Sequence, residues 1–193
     1  PIDITQNTTW NEYKYINKDV VVHSGDTLTI SAKIGFRKNK GIEVQNGGTL
    51  ILNDGSYLYS ICDTTWGGIT VDGGGTLITN NNSIIALYGN GKVFIDSSSN
   101  GVGRFYYNKG SYLSMANDST YIDIKGNLYI GDSANFNFTG NGYVRFSSTL
   151  NPSKNIFYGS GSSITLTGSG QSDKIMEIAQ ETVYMPNCTL SNG

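Results

Sequence analysis

The chain is poor in the residue types on which many catalytic and metal sites depend. Its 193 residues include one histidine and two cysteines. A lone histidine cannot form a multi-histidine metal site, and neither Cys62 nor Cys188 lies in a Cys-x-x-Cys pair. Because His23 lies between VVV and SGD, we expect a solvated side chain in a turn rather than the base of a catalytic triad. The sequence therefore predicts no cofactor and no metal.

Charged residues are also scarce. They make up 15% of the chain, and the formal net charge at pH 7 is −2. Binding to the phosphates of nucleic acid or to anionic lipid relies on clustered Lys and Arg, and a net charge of −2 offers no such electrostatic footprint. No apolar run approaches the roughly 20 residues needed to cross a bilayer. We therefore expect neither a nucleic-acid partner nor a membrane span.

Glycine is abundant, with 25 residues, and it punctuates a short phrase that recurs along the chain. The phrase is an apolar alternating strand, a polar turn, a Thr-Leu step and a second apolar strand. It occurs as VVVHSGDTLTI from Val20, IEVQNGGTLIL from Ile42 and ITVDGGGTLIT from Ile69, with looser versions from Met115 and Tyr129. A repeat of roughly 20 to 27 residues is typical of a solenoid, because one unit buries its apolar face only against the next.

Almost nothing in the sequence has helical periodicity. Short alternating segments bounded by Gly, Asn, Asp or Ser predict many short strands. Turn pairs such as Asn46-Gly47 and Asp72-Gly73 also suit hairpins, so an antiparallel meander is an alternative. Equivalent apolar residues would stack in columns in parallel coils: Leu28, Leu50 and Leu77, and Val22, Val44 and Val71. The predicted fold is therefore all-β, a single-stranded right-handed parallel β-helix, or solenoid, of roughly eight coils.

One domain is expected over residues 1–193, with 1–20 as an N-terminal cap or entry strand and 21–193 as coils. The end of the sequence, MPNCTLSNG, has no amphipathic cover, so we expect the native chain to continue or to associate end to end. Cys62 and Cys188 would lie several coils apart, beyond the reach of a disulfide. Each is expected to be a free thiol that packs as a small buried side chain.

Two stretches resemble a known class of proteins. CDTTWGGITVDGGGTLITNNNSIIALYG, from Cys62 to Gly89, is similar to a W-x-G-I-x-V unit, with the turn and apolar strand that follow it, in Bacteroidetes surface proteins. NTTWNEYKYINKDVVVHSGDTLTI, from Asn7 to Ile30, is similar to their entry segment. These are secreted or cell-surface parallel β-helix proteins of the pectate-lyase-like superfamily, often type IX secretion cargo. The resemblance implies an extracellular or bacterial cell-surface location and a role as adhesin, stalk or enzyme-bearing module.

An enzyme on this fold would need acidic residues or a strong base in one groove. A polysaccharide lyase uses Arg or Lys beside clustered carboxylates, whereas Arg37, Arg104 and Arg145 lie in no acidic cluster of the sequence. A glycoside hydrolase needs two carboxylates about 5 to 10 Å apart. The candidate catalytic residues in neighbouring coils are Asp63, Asp72, Asp118, Asp123 and Asp132. Most of them lie in turns, where a structural role explains an aspartate.

Tyrosine, with 13 residues, gives the strongest indication of a ligand surface. Outward tyrosines on stacked coils would form a ladder on which sugar rings stack. Tyr106 and Tyr107 are adjacent, so one of them must point outward. The candidate ligand-binding residues are Tyr57, Tyr59, Tyr106, Tyr107, Tyr112, Tyr121 and Tyr129. The alternative is that these tyrosines cover a sheet and bind nothing.

Two functions therefore remain open. The first is a non-catalytic extracellular module for cell-surface display, adhesion, or binding of a glycan or surface protein. The second is a carbohydrate-active domain, a polysaccharide lyase or glycoside hydrolase, that uses the aspartates in a groove with tyrosines as sugar platforms. The sequence favours the first, because turn roles explain most of the acidic residues.

Overall fold

The chain coils so that successive turns add strands to three parallel sheets. The computed structural model describes residues 1–116, 119–147, 156–168, 176–178 and 188–192. Within these residues every strand pairing is parallel except one short hairpin. The predicted parallel β-helix is therefore confirmed, and the antiparallel meander is excluded.

Strands of three or four residues build the first two sheets. The first sheet contains, in spatial order, β1 (Ile2–Ile4), β4 (Val20–Val22), β7 (Gly41–Val44), β10 (Gly68–Val71), β13 (Lys92–Ile95), β18 (Tyr121–Ile124), β22 (Tyr143–Phe146) and β25 (Met176–Ile178). The second contains β2 (Thr8–Trp10), β5 (Thr27–Ile30), β8 (Thr49–Leu52), β11 (Thr76–Thr79), β16 (Arg104–Tyr107), β19 (Asn127–Ile130) and β23 (Ile156–Tyr158).

The remaining strands complete the turns. The third sheet contains β3 (Lys14–Ile16), β6 (Lys33–Phe36), β9 (Tyr57–Ser60), β12 (Ile84–Leu87), β17 (Tyr112–Met115) and β21 (Thr139–Gly140). A smaller parallel sheet contains β20 (Asn135–Phe136), β24 (Ser163–Gly168) and β26 (Cys188–Asn192). The antiparallel hairpin consists of β14 (Ser97–Ser98) and β15 (Gly101–Val102).

Within the described residues, six turns contribute a strand to each of the three main sheets, fewer than the roughly eight coils expected. The turns differ in length, and the fifth is lengthened by the β14–β15 hairpin. Asn46 Nδ2 donates a hydrogen bond of 2.9 Å to the carbonyl of Asn100 at the hairpin tip. Gly73 faces the same hairpin, where a Cβ atom would collide with the side chain of Ser98. The close approach of the hairpin therefore explains a glycine in the GGG turn.

The stacking columns that the repeat predicts are present in the core. They are Leu28, Leu50 and Leu77 in the second sheet, and Val22, Val44 and Val71 in the first, each in register with the next. All of these side chains are fully buried. Burying an aliphatic side chain of this size contributes about 1.5–3 kcal/mol. The columns therefore fix the register of each turn on its neighbours.

A ladder of asparagines stabilises the corner that follows the second sheet. Asn80 Nδ2 donates to Asn53 Oδ1 at 2.9 Å, and Asn108 Nδ2 donates to Asn80 Oδ1 at 2.8 Å. Stacked amides of this kind satisfy one another when identical positions of successive strands come into register. The ladder shows that turn residues, as well as core residues, are matched between coils.

Trp66, which carries the resemblance to the surface proteins, lies in the core. Its side chain is fully buried, and its ring stacks on Phe36 with centroids 4.7 Å apart. The indole Nε1 donates to the carbonyl of Ala86 at 2.8 Å. The W-x-G-I-x-V unit is therefore a packing motif here, and it connects the third sheet to the start of the next turn.

The entry segment is built as a turn of the solenoid. Strands β1, β2 and β3 extend the three main sheets by parallel pairing with the second turn. Ile4, Trp10 and Ile16 from this segment are buried in the common core. The entry segment therefore continues both the sheets and the core of the following turns.

Cys62 is a free thiol, as expected, but the expectation of burial is wrong because its side chain is exposed. It lies in a short 3₁₀ turn, Ile61–Asp63, with φ of 59°, which directs it away from the stacked strands. The side chain of Cys188 lies outside the described part of the chain. Among the described residues, no helix has the length and apolar character needed to span a membrane.

Candidate functional site

The candidate tyrosines are distributed over three faces of the solenoid. The second sheet carries Tyr106 and Tyr129, the first carries Tyr121, and the third carries Tyr57, Tyr59 and Tyr112. A residue on one sheet cannot share a column with a residue on another. The candidate tyrosines therefore lie in separate columns, and each face must be considered separately.

Tyr107 points into the core, so its place among the candidate ligand-binding residues is wrong. It is 1% exposed, and its hydroxyl donates to the carbonyl of Ser111 at 2.6 Å. Its ring packs edge-on against Phe105 and Phe136, and burial raises the pKa of the hydroxyl. Strand alternation then directs Tyr106 outward, which confirms that one member of this pair faces solvent.

Tyr106, Tyr129 and Phe157 form an aromatic ladder on the outer face of the second sheet. The three are in register, with ring centroids 4.5 Å apart at the first step and 4.7 Å at the second. The rings of each pair are nearly parallel, at 11°. Most ring faces are therefore covered by a neighbouring ring. This arrangement stabilises the sheet surface and leaves ring edges, rather than faces, for a ligand.

A groove of about 460 Å³ lies on the outer face of the first sheet. Its lining residues come from the second, third and fourth turns: Asp19, Asn39, Gly41, Ile42, Glu43, Gly67, Gly68, Thr70 and Asp72. Gly41 and Gly68 are adjacent in register, and a Cβ on Gly41 would lie 2.6 Å from the carbonyl oxygen of Gly68. The glycines therefore allow close approach of two turns, and their missing side chains open the groove.

Two carboxylates, Glu43 and Asp72, lie in the wall of this groove. Glu43 is opposite Thr70 in the neighbouring strand, and Asp72 follows two residues later. Burial raises the pKa of Asp72, and the charges of Glu43 and Asp96 raise it further. A raised pKa favours the protonated acid, which is the form that can donate a proton.

Asp19 contributes a third carboxylate to the groove, and this one is neutralised. Its Oδ2 atom forms an ion pair of 3.0 Å with Lys40 Nζ, and its Oδ1 atom accepts a hydrogen bond of 3.3 Å from the Gly41 amide. Glu43 was not among the sequence candidates, since nothing in IEV marks it as functional. Alternation placed it outward, but only the pairing of turns places it beside Asp72.

Of the other candidate aspartates, Asp123 and Asp132 do not line the groove. Asp132 Oδ1 accepts a 2.7 Å hydrogen bond from the Ser160 amide, so it stabilises a turn. Asp123 is fully buried, bonded by the guanidinium of Arg145 and by Ser147 Oγ at 2.5 Å. Asp118 and the side chain of Asp63 lie outside the described residues.

The tyrosines of the first sheet continue the glycine column of the groove. Gly68 lies against the backbone of Lys92 on the next turn, and Lys92 is followed in register by Tyr121 and Tyr143. Tyr121 and Tyr143 stack with centroids 5.6 Å apart, and the guanidinium of Arg145 lies 5.2 Å from the centre of the Tyr121 ring. Tyr143 was not a sequence candidate, because only the register reveals that it is paired with Tyr121.

Among the described residues, no three His, Cys, Asp or Glu side chains are grouped so that they could hold a metal ion. No family model, no curated protein and no solved structure is significantly similar to the chain.

Proposed function

We propose that the chain is a non-catalytic extracellular β-helix module that binds a glycan in the groove of the first sheet. The groove supports this proposal with its glycine floor, where a ligand approaches the backbone closely. Carboxylate, amide and hydroxyl groups of Asp72, Asn39 and Thr70 line it and can pair with sugar hydroxyls.

The extent of the surface favours a chain-like ligand. The groove spans the turns that contain β7 and β10, and the stacked Tyr121 and Tyr143 extend the same column further along the axis. Neighbouring turns are separated by about 4.8 Å, so several turns match more than one sugar unit. Polar groups at intervals along a rigid solenoid suit binding of an oligosaccharide.

The biological setting of this proposal comes from the resemblance of Cys62–Gly89 and Asn7–Ile30 to Bacteroidetes surface proteins. In that setting the module is displayed at the bacterial cell surface, after export by the type IX secretion system, and acts in adhesion or contact with a surface partner. The stacked columns support such a role, because a solenoid with a continuous core presents its outer faces rigidly.

A glycan-array screen of the purified chain tests the binding proposal. Thr70→Val and Asn39→Gly remove polar groups from the groove, and Asn39 has a φ of 60° that glycine also adopts. Thr29→Val on the second sheet is the matched control. We expect weaker binding for both groove variants and unchanged binding for the control. Equal binding by all four proteins, or no glycan bound by the wild type, would overturn the proposal.

A second candidate function is a carbohydrate-active enzyme, either a lyase or a glycoside hydrolase, with Glu43 and Asp72 as its acidic pair. The raised pKa of Asp72 beside a second carboxylate favours it. The test is release of reducing ends from every glycan that binds. Release by the wild type that disappears in Asp72→Asn and Glu43→Gln would establish the enzyme, whereas binding without release supports the non-catalytic module.

A further inference from the structure

A second cavity, which we call the tyrosine notch, lies on the outer face of the third sheet. Its volume is about 220 Å³. It is lined by Tyr57, Tyr59, Ser60, Ala86, Leu87, Tyr88, Ser114 and Ala116. The groove of the first sheet shares none of these residues, so the two cavities can be altered independently.

Small side chains on two successive turns open the notch. Ala86 and Ser114 are opposite each other in β12 and β17, and Ala86 follows the residues of β12 that pair with β9. Tyr59 is in register with Gly35 on the preceding turn, and a Cβ on Gly35 would lie 3.3 Å from the Tyr59 Cζ atom. The atoms nearest to that Cβ would belong to the Ile61 side chain, so Ile61 and the Tyr59 ring together occupy the space that Gly35 leaves open.

The aromatic walls of the notch present both edges and hydroxyls. Tyr57 and Tyr59 stack on each other with centroids 4.9 Å apart at 22°, so each covers one face of the other. Tyr88, which follows β12, is 38% exposed. Ring edges carry partial positive charge and phenol hydroxyls donate and accept hydrogen bonds, a combination that suits a hydroxylated ring.

The described residues that line the notch carry no charge. Among them there is no Asp, Glu, Lys, Arg or His, and their polar side-chain groups are hydroxyls of Tyr and Ser. A hydrogen bond with Tyr13, together with burial, raises the pKa of Tyr59, so its hydroxyl stays protonated at neutral pH. An ionised ligand would lose hydration there without gaining an opposite charge. The lining therefore selects for a neutral ligand.

We propose that the tyrosine notch binds one neutral sugar ring, a hexopyranose at the end of a glycan or a free hexoside. The inference rests on the proposed glycan-binding function and adds to it a second site with its own ligand. Pockets for larger organic ligands have volumes of roughly 300 Å³ or more. The smaller volume of the notch matches a single ring, whereas the groove of the first sheet matches an oligosaccharide.

Saturation-transfer NMR with methyl glycosides of glucose, galactose and mannose tests the notch. Ala86→Phe fills it, and Ser114→Ala removes a hydroxyl without changing the packing of the strand. Ile78→Phe is the matched control, because Ile78 has the same position in β11 as Ala86 has in β12. We expect the wild type to bind at least one glycoside in the millimolar range, and Ala86→Phe to weaken binding about tenfold or more. Ser114→Ala should weaken it less, and Ile78→Phe should not change it.

Two results would overturn the proposal that the tyrosine notch binds a sugar. One is the absence of binding by the wild type to any of the glycosides at tens of millimolar. The other is a folded Ala86→Phe or Ser114→Ala protein, checked by circular dichroism and thermal unfolding, that binds as the wild type does. The groove is tested separately, because Thr70→Val should weaken the binding of oligosaccharides and leave the binding of methyl glycosides unchanged. Either site can therefore fail while the other stands.

Discussion

Asp72 and Glu43 share one wall of the groove on the first sheet, and burial together with the charge of Glu43 raises the pKa of Asp72. The two residues are 29 positions apart in the chain, yet they belong to neighbouring turns because Val71 is opposite Val44. The shift has a consequence for stability as well as for chemistry, because a proton then binds more tightly to the folded chain than to the unfolded one.

Asp72→Asn is expected to raise the melting temperature at pH 7. A raised pKa in the folded state means that the group stabilises the fold below its unfolded pKa and that this stabilisation is lost as pH rises through the folded pKa. At pH 7 the wild type therefore carries an unfavourable charge that the amide lacks. The gain should be less than about 1 kcal/mol, because the groove is open to solvent. It should vanish below about pH 4.

Thermal unfolding of both proteins at pH 7 and at pH 3.5 measures this difference. Asp54→Asn, in an exposed turn, is the control for a generic change of charge. An Asp72→Asn protein that is less stable than the wild type at neutral pH would contradict the prediction.

Leu50→Ala should destabilise the fold by about 2–5 kcal/mol. Leu50 is fully buried between Leu28 and Leu77, so truncation leaves a cavity in the middle of a column. Urea unfolding measures the change, with Thr49→Ala on the outward side of the same strand as the control. A loss below about 1 kcal/mol would show that the neighbouring leucines close the gap.

Asn80→Ala should destabilise the fold by about 1–3 kcal/mol. Asn80 occupies the middle of the asparagine ladder, so its removal leaves Asn53 Oδ1 without its donor and Asn108 Nδ2 without its acceptor. Asn90→Ala, at an exposed turn, is the control for loss of an amide. Chemical denaturation of both variants is the measurement. Equal stability of the two would contradict the prediction that the asparagine ladder stabilises the fold.

Arg145→Met should destabilise the fold by about 3 kcal/mol, because the fully buried carboxylate of Asp123 loses its charge partner. Ser147 Oγ still donates to Asp123, which keeps the loss near the lower end of the usual range. The double variant Asp123→Leu/Arg145→Met should recover part of it. A double-mutant cycle in urea is the measurement, and strict additivity of the two changes would refute coupling between them.

Much of the fold could be predicted from the sequence, because the repeat also predicts which side chains pack against each other. Leu28, Leu50 and Leu77 follow the same Gly-containing turn in similar phrases, and equivalent positions of stacked coils must meet. Less of the candidate site could be predicted from the sequence. Asp72 was a candidate catalytic residue, but no local sequence pattern marks Glu43 or Tyr143 as part of a site. Tyr106 and Tyr107 are adjacent, and the sequence does not tell which of the two faces outward.

Alternation punctuated by glycine determined from the sequence alone that the chain forms short strands, and the equivalent positions of the repeat predicted that these strands stack in parallel coils. The tertiary structure decided which distant residues share a face, because this depends on the length of every intervening turn. The β14–β15 hairpin, for example, adds residues between the first and second sheets without disturbing the register of Leu77 with Phe105. A slip of one residue would reverse every side chain of the strand that follows. The groove and the tyrosine notch are therefore properties of the register between turns, which short-range patterns do not encode.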